Sequence, residues 1–150
     1  MEKTDFKLET RNQVIRDMEE QDSDINQLTF SFSSEEPVKR HFGDEVLSHK
    51  DGDVDLSRLN NGGLLLFNHN RDQVLGRINE AWLDGDRARA TIKWASNSFA
   101  KEIRKDTENG IYPSISVGYQ INELEQQEDG SMRATSWTPH EISLVTIPAD

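Results

Sequence analysis

Period-two alternation, interrupted by glycine-bearing turns, is the feature that most narrows the folds open to this chain. From Leu28 onward, Leu28, Phe30 and Phe32 alternate with Thr29, Ser31 and Ser33, the spacing of a strand with one buried face. Ala88, Ala90, Ile92 and Trp94 alternate in the same way with Arg87, Arg89, Thr91 and Lys93. Residues 74–82 and 87–94 flank Asp84-Gly85-Asp86, a strong hairpin signal. A second hairpin through Glu128-Asp129-Gly130 leads from 114–121 into 132–137, and Pro139 is expected to break that run before a last strand that carries Glu141. Only 97–110 reads as a clear helix, with Asn97 or Ser98 as N-cap, Phe99, Ala100 and Ile103 on the inner face and Gly110 past the end. At least six strands and one helix imply a mainly β (α+β) fold whose sheet curls into a barrel.

A chain of 150 residues supports one core. Residues 1–27 carry eight carboxylates and four Lys or Arg around scattered apolar positions, which predicts an acidic helical or disordered arm, with the folded domain spanning 28–150. Residues 37–63 read as a long polar surface excursion, with turns at 49–52 and 60–63 and a short helical piece over 44–47. The formal charge of −11, from 28 carboxylates against 17 Lys and Arg, argues against nucleic acid as a partner. The lack of cysteine excludes disulfides, thiolate nucleophiles and Cys-ligated zinc. Neither a signal peptide nor an apolar run of membrane-spanning length is present, so an intracellular soluble protein is expected.

Three polar residues stand in stretches otherwise suited to buried strands. His69 follows the apolar run 64–67, Ser116 lies within Ile115-Ser116-Val117-Gly118-Tyr119, and Glu141 opens the run 141–147. Polar groups in such places need a partner or a purpose. In 114–121 the residues Ile115, Val117, Tyr119 and Ile121 share one face, which turns Ser116 away with the small Ser114 and Gly118. Base, nucleophile and acid in that order match a serine hydrolase, although each residue alone has an ordinary structural role: a hydrogen-bonded histidine, a strand serine, a solvated carboxylate.

Competing motifs fail on their own residues. Asp51-Gly52-Asp53 begins like a calcium loop, but Leu56 stands where the glycine is needed and Gly62 where the bidentate glutamate is needed. His140-Glu141-Ile142-Ser143-Leu144 lacks the second zinc-binding histidine. Ser114 replaces the first glycine of the nucleophile-elbow pattern, and His69 precedes the serine, against the α/β-hydrolase order. No glycine-rich phosphate loop occurs, and no cofactor or metal is expected.

Several segments, in order, resemble the prohead (procapsid maturation) serine protease family of tailed bacteriophages. They are Ser34-Glu35-Glu36-Pro37-Val38, Gly43-Asp44-Glu45-Val46-Leu47, Val54-Asp55-Leu56-Ser57-Arg58-Leu59, Leu65-Leu66-Phe67-Asn68-His69-Asn70, Ile115-Ser116-Val117-Gly118-Tyr119 and the run 141–149. The 37–59 segments resemble members in which the protease is the amino-terminal part of a longer polypeptide that continues into the major capsid protein. The resemblance implies an antiparallel β-barrel of about six or seven strands with peripheral helices, as in the herpesvirus assembly proteases. It matches Ser116 to the nucleophile of a Ser-x-Gly-aromatic motif, His69 to the general base and Glu141 to the third member. A second histidine fills that third place in the herpesvirus relatives, which makes His140 the alternative; strand alternation puts 140 and 141 on opposite faces, and the family register favours Glu141. The implied work is cleavage of capsid and scaffold precursors, and of the protease itself, inside the assembling procapsid in the host cytoplasm, without nucleic acid or membrane and with a homo-oligomer left open. Two other readings stand beside it: a non-catalytic protease-like module for capsid assembly or scaffold binding, and another serine hydrolase such as an esterase.

Overall fold

The structure, a computed structural model, describes residues 9–14, 26–112 and 114–146, and of 12–14 the backbone only. Among the described residues, nine strands and two helices follow in the order β1 (Glu9–Val14), β2 (Gln27–Ser34), β3 (Val38–Arg40), β4 (Gly43–Leu47), α1 (Ser57–Asn60), β5 (Leu64–Phe67), β6 (Asn70–Asp84), β7 (Arg87–Trp94), α2 (Ser98–Glu108), β8 (Ser114–Gln126) and β9 (Met132–Val145). The strands form one sheet ordered β1-β8-β9-β5-β6-β7-β2, with β3 paired to β4 and β4 to β9. The sheet curls into a half-barrel with few helices, the mainly β architecture expected.

Local chemistry builds the regular part. Gly85, at φ +65°, supplies the positive φ of the two-residue loop between β6 and β7. Ala88, Ala90 and Ile92 are fully buried and Trp94 nearly so, packing with Phe30 and Phe32 of β2. Each large side chain so placed contributes about 1.5–3 kcal/mol by leaving water. Helix α2 starts where expected: the Asn97 side chain accepts from the Ala100 N–H at 2.8 Å. The other face of β2 is buried too, since Thr29 shares a hydrogen bond with Thr91 (2.8 Å) and Ser33 one with His49 (2.8 Å).

Some expectations change. Residues 44–47 belong to strand β4, not to a helical piece: Glu45 and Leu47 point inward and the strand runs parallel to Met132–Ala134 of β9. The stretch 37–63 is mostly exposed, as expected, but parts of it enter the core. Leu47, Ser48, His49 and Leu59 are buried, and the Trp137 indole donates to the Ser48 carbonyl at 2.7 Å. Pairings β4 with β9 and β5 with β9 are parallel, so the barrel is not antiparallel throughout and holds more strands than six or seven. Pro139 does not end its strand; β9 runs through it, with the irregularity taken up as a bulge at His140, between the pairs Tyr119–Pro139 and Gly118–Glu141. In the amino-terminal arm, Glu9–Val14 is a strand paired antiparallel to β8, because its Arg11 finds buried partners that charge counting could not foresee. Residues 1–8 and 15–25 of the expected arm lie outside the described residues.

Candidate active site

The site is assembled at the tip of the β5–β6 hairpin. Phe67 pairs with Asn70, so Asn68 and His69 are the two central residues of the turn. Both have positive φ, +52° and +59°, the signature of the mirror-image turn that suits hairpin twist. Asparagine and histidine enter this region more often than most residues, but the conformation still costs on the order of 1–3 kcal/mol and persists only when neighbours over-determine it. They do so here. The Asn68 N–H donates to the Leu144 carbonyl (2.8 Å), the Asn68 side-chain oxygen accepts from the Thr146 N–H (2.9 Å), and the Ser143 hydroxyl accepts from the His69 N–H (3.0 Å).

Ser116 approaches from β8. Its neighbours Ile115, Val117 and Tyr119 fill the core, so strand alternation turns Ser116 to the opposite face, opposite Ser143 in register. His69 Nε2 lies 2.9 Å from Ser116 Oγ and His69 Nδ1 lies 2.5 Å from Glu141 Oε1. A carboxylate has no hydrogen to give, so Nδ1 carries the ring proton, and Nε2 accepts from the Ser116 hydroxyl. Ser116 is itself only 2% exposed; the edges of His69 and Glu141 meet solvent.

Glu141 depends on two local features. The bulge at His140 sets Glu141 opposite Gly118, and a Cβ at 118 would stand 3.0 Å from Glu141 Cγ. A side chain at 118 would therefore push the Glu141 side chain from its place. His140 turns elsewhere and bonds Gln120 at 3.1 Å; burial, aided by Arg58, pushes its pKa down. The structure thus brings His69, Ser116 and Glu141 into one hydrogen-bonded file and leaves His140 outside it. Beside Glu141 opens a groove of about 900 Å³ whose walls include α1, the turn after it, Arg71 and His140.

A second serine, histidine and glutamate lie together at Ser33, His49 and Glu35, and the contrast is informative. His49 Nε2 meets Ser33 Oγ at 2.8 Å, but Nδ1 bonds the Leu47 carbonyl, and Glu35 accepts from the His49 backbone N–H at 2.7 Å. Ser33 is as buried as Ser116, but the His49 side chain is fully buried, whereas that of His69 is 28% exposed. Burial holds His49 below its ordinary pKa, against the pull of Leu47 and Glu35. The same residue types here serve the core. Sequence reasoning passed over Asn68 and Ser143 as site residues; Asn68 carried a signal as a turn-former next to an apolar run, whereas nothing local distinguishes Ser143 from other strand serines.

A curled, mainly β sheet that lines up serine, histidine and carboxylate has the geometry of the serine hydrolases. Residues 36–150 match the family described as caudovirus prohead serine protease, and the chain belongs to that family. It is 41% identical over 128 residues to a protein named major capsid protein in Halomonas phage phiHAP-1, covering 80% of this chain and 21% of that relative. It is 39% identical over 51 residues to a probable capsid maturation protease of Lactococcus phage p2, covering 34% of this chain and 29% of that one. The chain thus spans less than a third of these curated relatives. Among solved structures, the bacteriophage T4 capsid assembly protease shares the fold, with a TM-score of 0.57 at 9% identity, covering 97% of this chain and all of that one.

Proposed function

We propose that this chain is the protease part of a phage capsid-maturation system, a serine endopeptidase in which Ser116 is the nucleophile, His69 the general base and Glu141 the residue that orients the imidazole. The observation that carries the reading is the unbroken file of contacts from Ser116 through both ring nitrogens of His69 to Glu141. Ser116 Oγ attacks the scissile carbonyl carbon as its proton passes to His69 Nε2; the C–N bond then breaks and the same proton goes to the leaving amine. A water molecule, deprotonated by His69, attacks the acyl-serine ester, and the proton returns to Ser116 as the acid leaves. Glu141 holds the imidazole in the Nδ1–H tautomer and stabilises its cationic form without taking the proton.

Family membership and the similarity to a major capsid protein support capsid precursors as substrates, with scaffold protein and the protease's own polypeptide as further ones, cut inside the procapsid in the host cell. The match to a fraction of a capsid polypeptide also supports a chain fused ahead of capsid protein. Confinement within a shell would raise the effective substrate concentration, so modest intrinsic efficiency would suffice.

The test is peptide mapping after fluorophosphonate treatment, followed by incubation with capsid precursor. A single adduct on Ser116 that disappears in His69→Ala, together with cleavage of the precursor, is expected. No adduct would sink the catalytic reading in favour of a binding module. An adduct with turnover of small esters and no protein cleavage would instead mark an esterase.

A further inference from the structure

The half of β8 that carries Ser116 has a second neighbour, and that neighbour lies outside the family-matched span. Strand β1 pairs with β8 from Glu9 opposite Tyr119 to Val14 opposite Ser114, which sets Asn12 against Ser116. From Gln120 to Gln126, β8 pairs with β9 alone among the described residues. A strand with one free edge opens more readily than one hydrogen-bonded on both sides, so β1 shields the very stretch whose geometry matters.

Its attachment is specific. Arg11 is 7% exposed, and its guanidinium donates to the Glu36 carbonyl (2.7 Å), the Glu45 carbonyl (2.6 Å), the Glu45 carboxylate (2.9 Å) and the Tyr119 hydroxyl (3.2 Å). Tyr119 in turn donates to the Glu45 carboxylate, and burial pushes its own pKa up to about 12, so the phenol keeps its proton. Arg40 of β3 closes the cleft from the other side, donating to the Thr10 carbonyl (3.2 Å) and to Tyr119 (2.8 Å). Four acceptors converging on one side chain suit the planar five-donor fork of arginine, not the three-donor point charge of lysine. Glu45, 1% exposed, would lose its closest cation without Arg11.

We propose that the β8 edge and the Glu36–Glu45–Tyr119 cleft form a docking slot for an extended, arginine-bearing segment. The chain's own residues 9–14 fill it, and the filled slot holds the Ser116 strand in working geometry. The slot stands on its own contacts; the effect on Ser116 rests on the catalytic reading above.

The test uses the full chain with Arg11→Ala, Arg11→Lys and Glu45→Gln, reading amide hydrogen exchange by segment and the rate of fluorophosphonate labelling. All three should speed exchange at 9–14 and 114–119 at least tenfold, leave 87–94 unchanged, and slow labelling of Ser116 about tenfold. A synthetic peptide carrying residues 8–15 should restore labelling of Arg11→Ala, and the same peptide with alanine in place of arginine should not. Exchange unchanged at 114–119, exchange raised equally across the fold in every variant, or rescue by both peptides would overturn the slot. Failure of the unmodified chain to label would overturn the catalytic reading alone, because exchange still reports docking.

Discussion

The sheet has two halves of different character. In β2, β6 and β7 the hairpin closes through Asp84-Gly85-Asp86, one face of β7 is apolar throughout, and the buried hydroxyls Thr29, Ser31 and Ser33 are hydrogen-bonded to Thr91, Arg87 and His49. In β4, β5, β8 and β9 two pairings are parallel, the turn that follows β5 holds two consecutive residues in the left-handed region, and Glu45, Ser114, Ser116 and Ser143 are buried, whereas bulges occur in both halves. The first half gains free energy from apolar burial at little local cost. The second contains strain and desolvated polar groups, held by hydrogen bonds such as those on Asn68, His69 and Glu45. Chemistry and stability are thus drawn from different parts of one sheet.

Substitutions in each half should therefore move different observables. The largest effect is expected from the file itself: His69→Ala should slow labelling of Ser116 by about 10⁴-fold or more, and Glu141→Gln by about 10³–10⁴-fold, with thermal midpoints little changed. A collapse of the midpoint in either would undo the contrast. Gly118→Ala comes next, because its new methyl presses on Glu141 Cγ; a shift of the carboxylate should cost about 10²-fold in labelling rate while the fold survives. The mirror test lies in the other half. At Gly76 a Cβ would meet the Lys93 carbonyl at 2.4 Å, so Gly76→Ala should cost about 3 kcal/mol of stability by denaturant titration, yet leave the labelling rate of the folded fraction unaltered.

Smaller effects refine the picture. Ser143→Ala leaves the His69 N–H without its acceptor, a loss of about 1–3 kcal/mol, of which enough should fall on His69 placement to slow labelling roughly tenfold. Rescue by Ser143→Thr would tie the effect to the hydroxyl. The smallest is a pH effect. Because burial depresses the His49 pKa in the fold, the unfolded chain binds the proton first as pH falls. The stability contributed by neutral His49 is complete above its unfolded value, about 6.5, and is lost as pH drops through the lower folded value. Thermal midpoints of the unmodified chain should fall between pH 7.5 and 5.5 more than those of His49→Gln, and parallel curves would reject that assignment.

Legibility followed the range of the interactions. Strands β2 and β7, the hairpin between β6 and β7, and the cap of α2 were readable because their periodicity, turn glycine and Asn97 act over a few residues. Strand β4 was misread because Glu45 and Leu47 turn inward only through pairing with Met132 and Ala134, far along the chain. Strand β1 looked like a charged arm, since a buried arginine is recognisable only once its acceptors are in place. The His140–Glu141 choice illustrates both limits: simple alternation was the argument for separating them, but the bulge at His140 breaks alternation there, and Gly118 is what admits the Glu141 carboxylate.

What the sequence determined by itself was the kind of sheet, most of its turns, the single long helix and the short set of polar residues worth watching. The tertiary structure alone decided that 69, 116 and 141 meet, that Ser143 and Asn68 hold the left-handed turn, and that Arg11 docks a strand beside Ser116. Turn and periodicity preferences act between near neighbours and can be read in order along the chain. Register between distant strands is set by the free energy of the whole sheet, where one bulge or one glycine redirects a side chain.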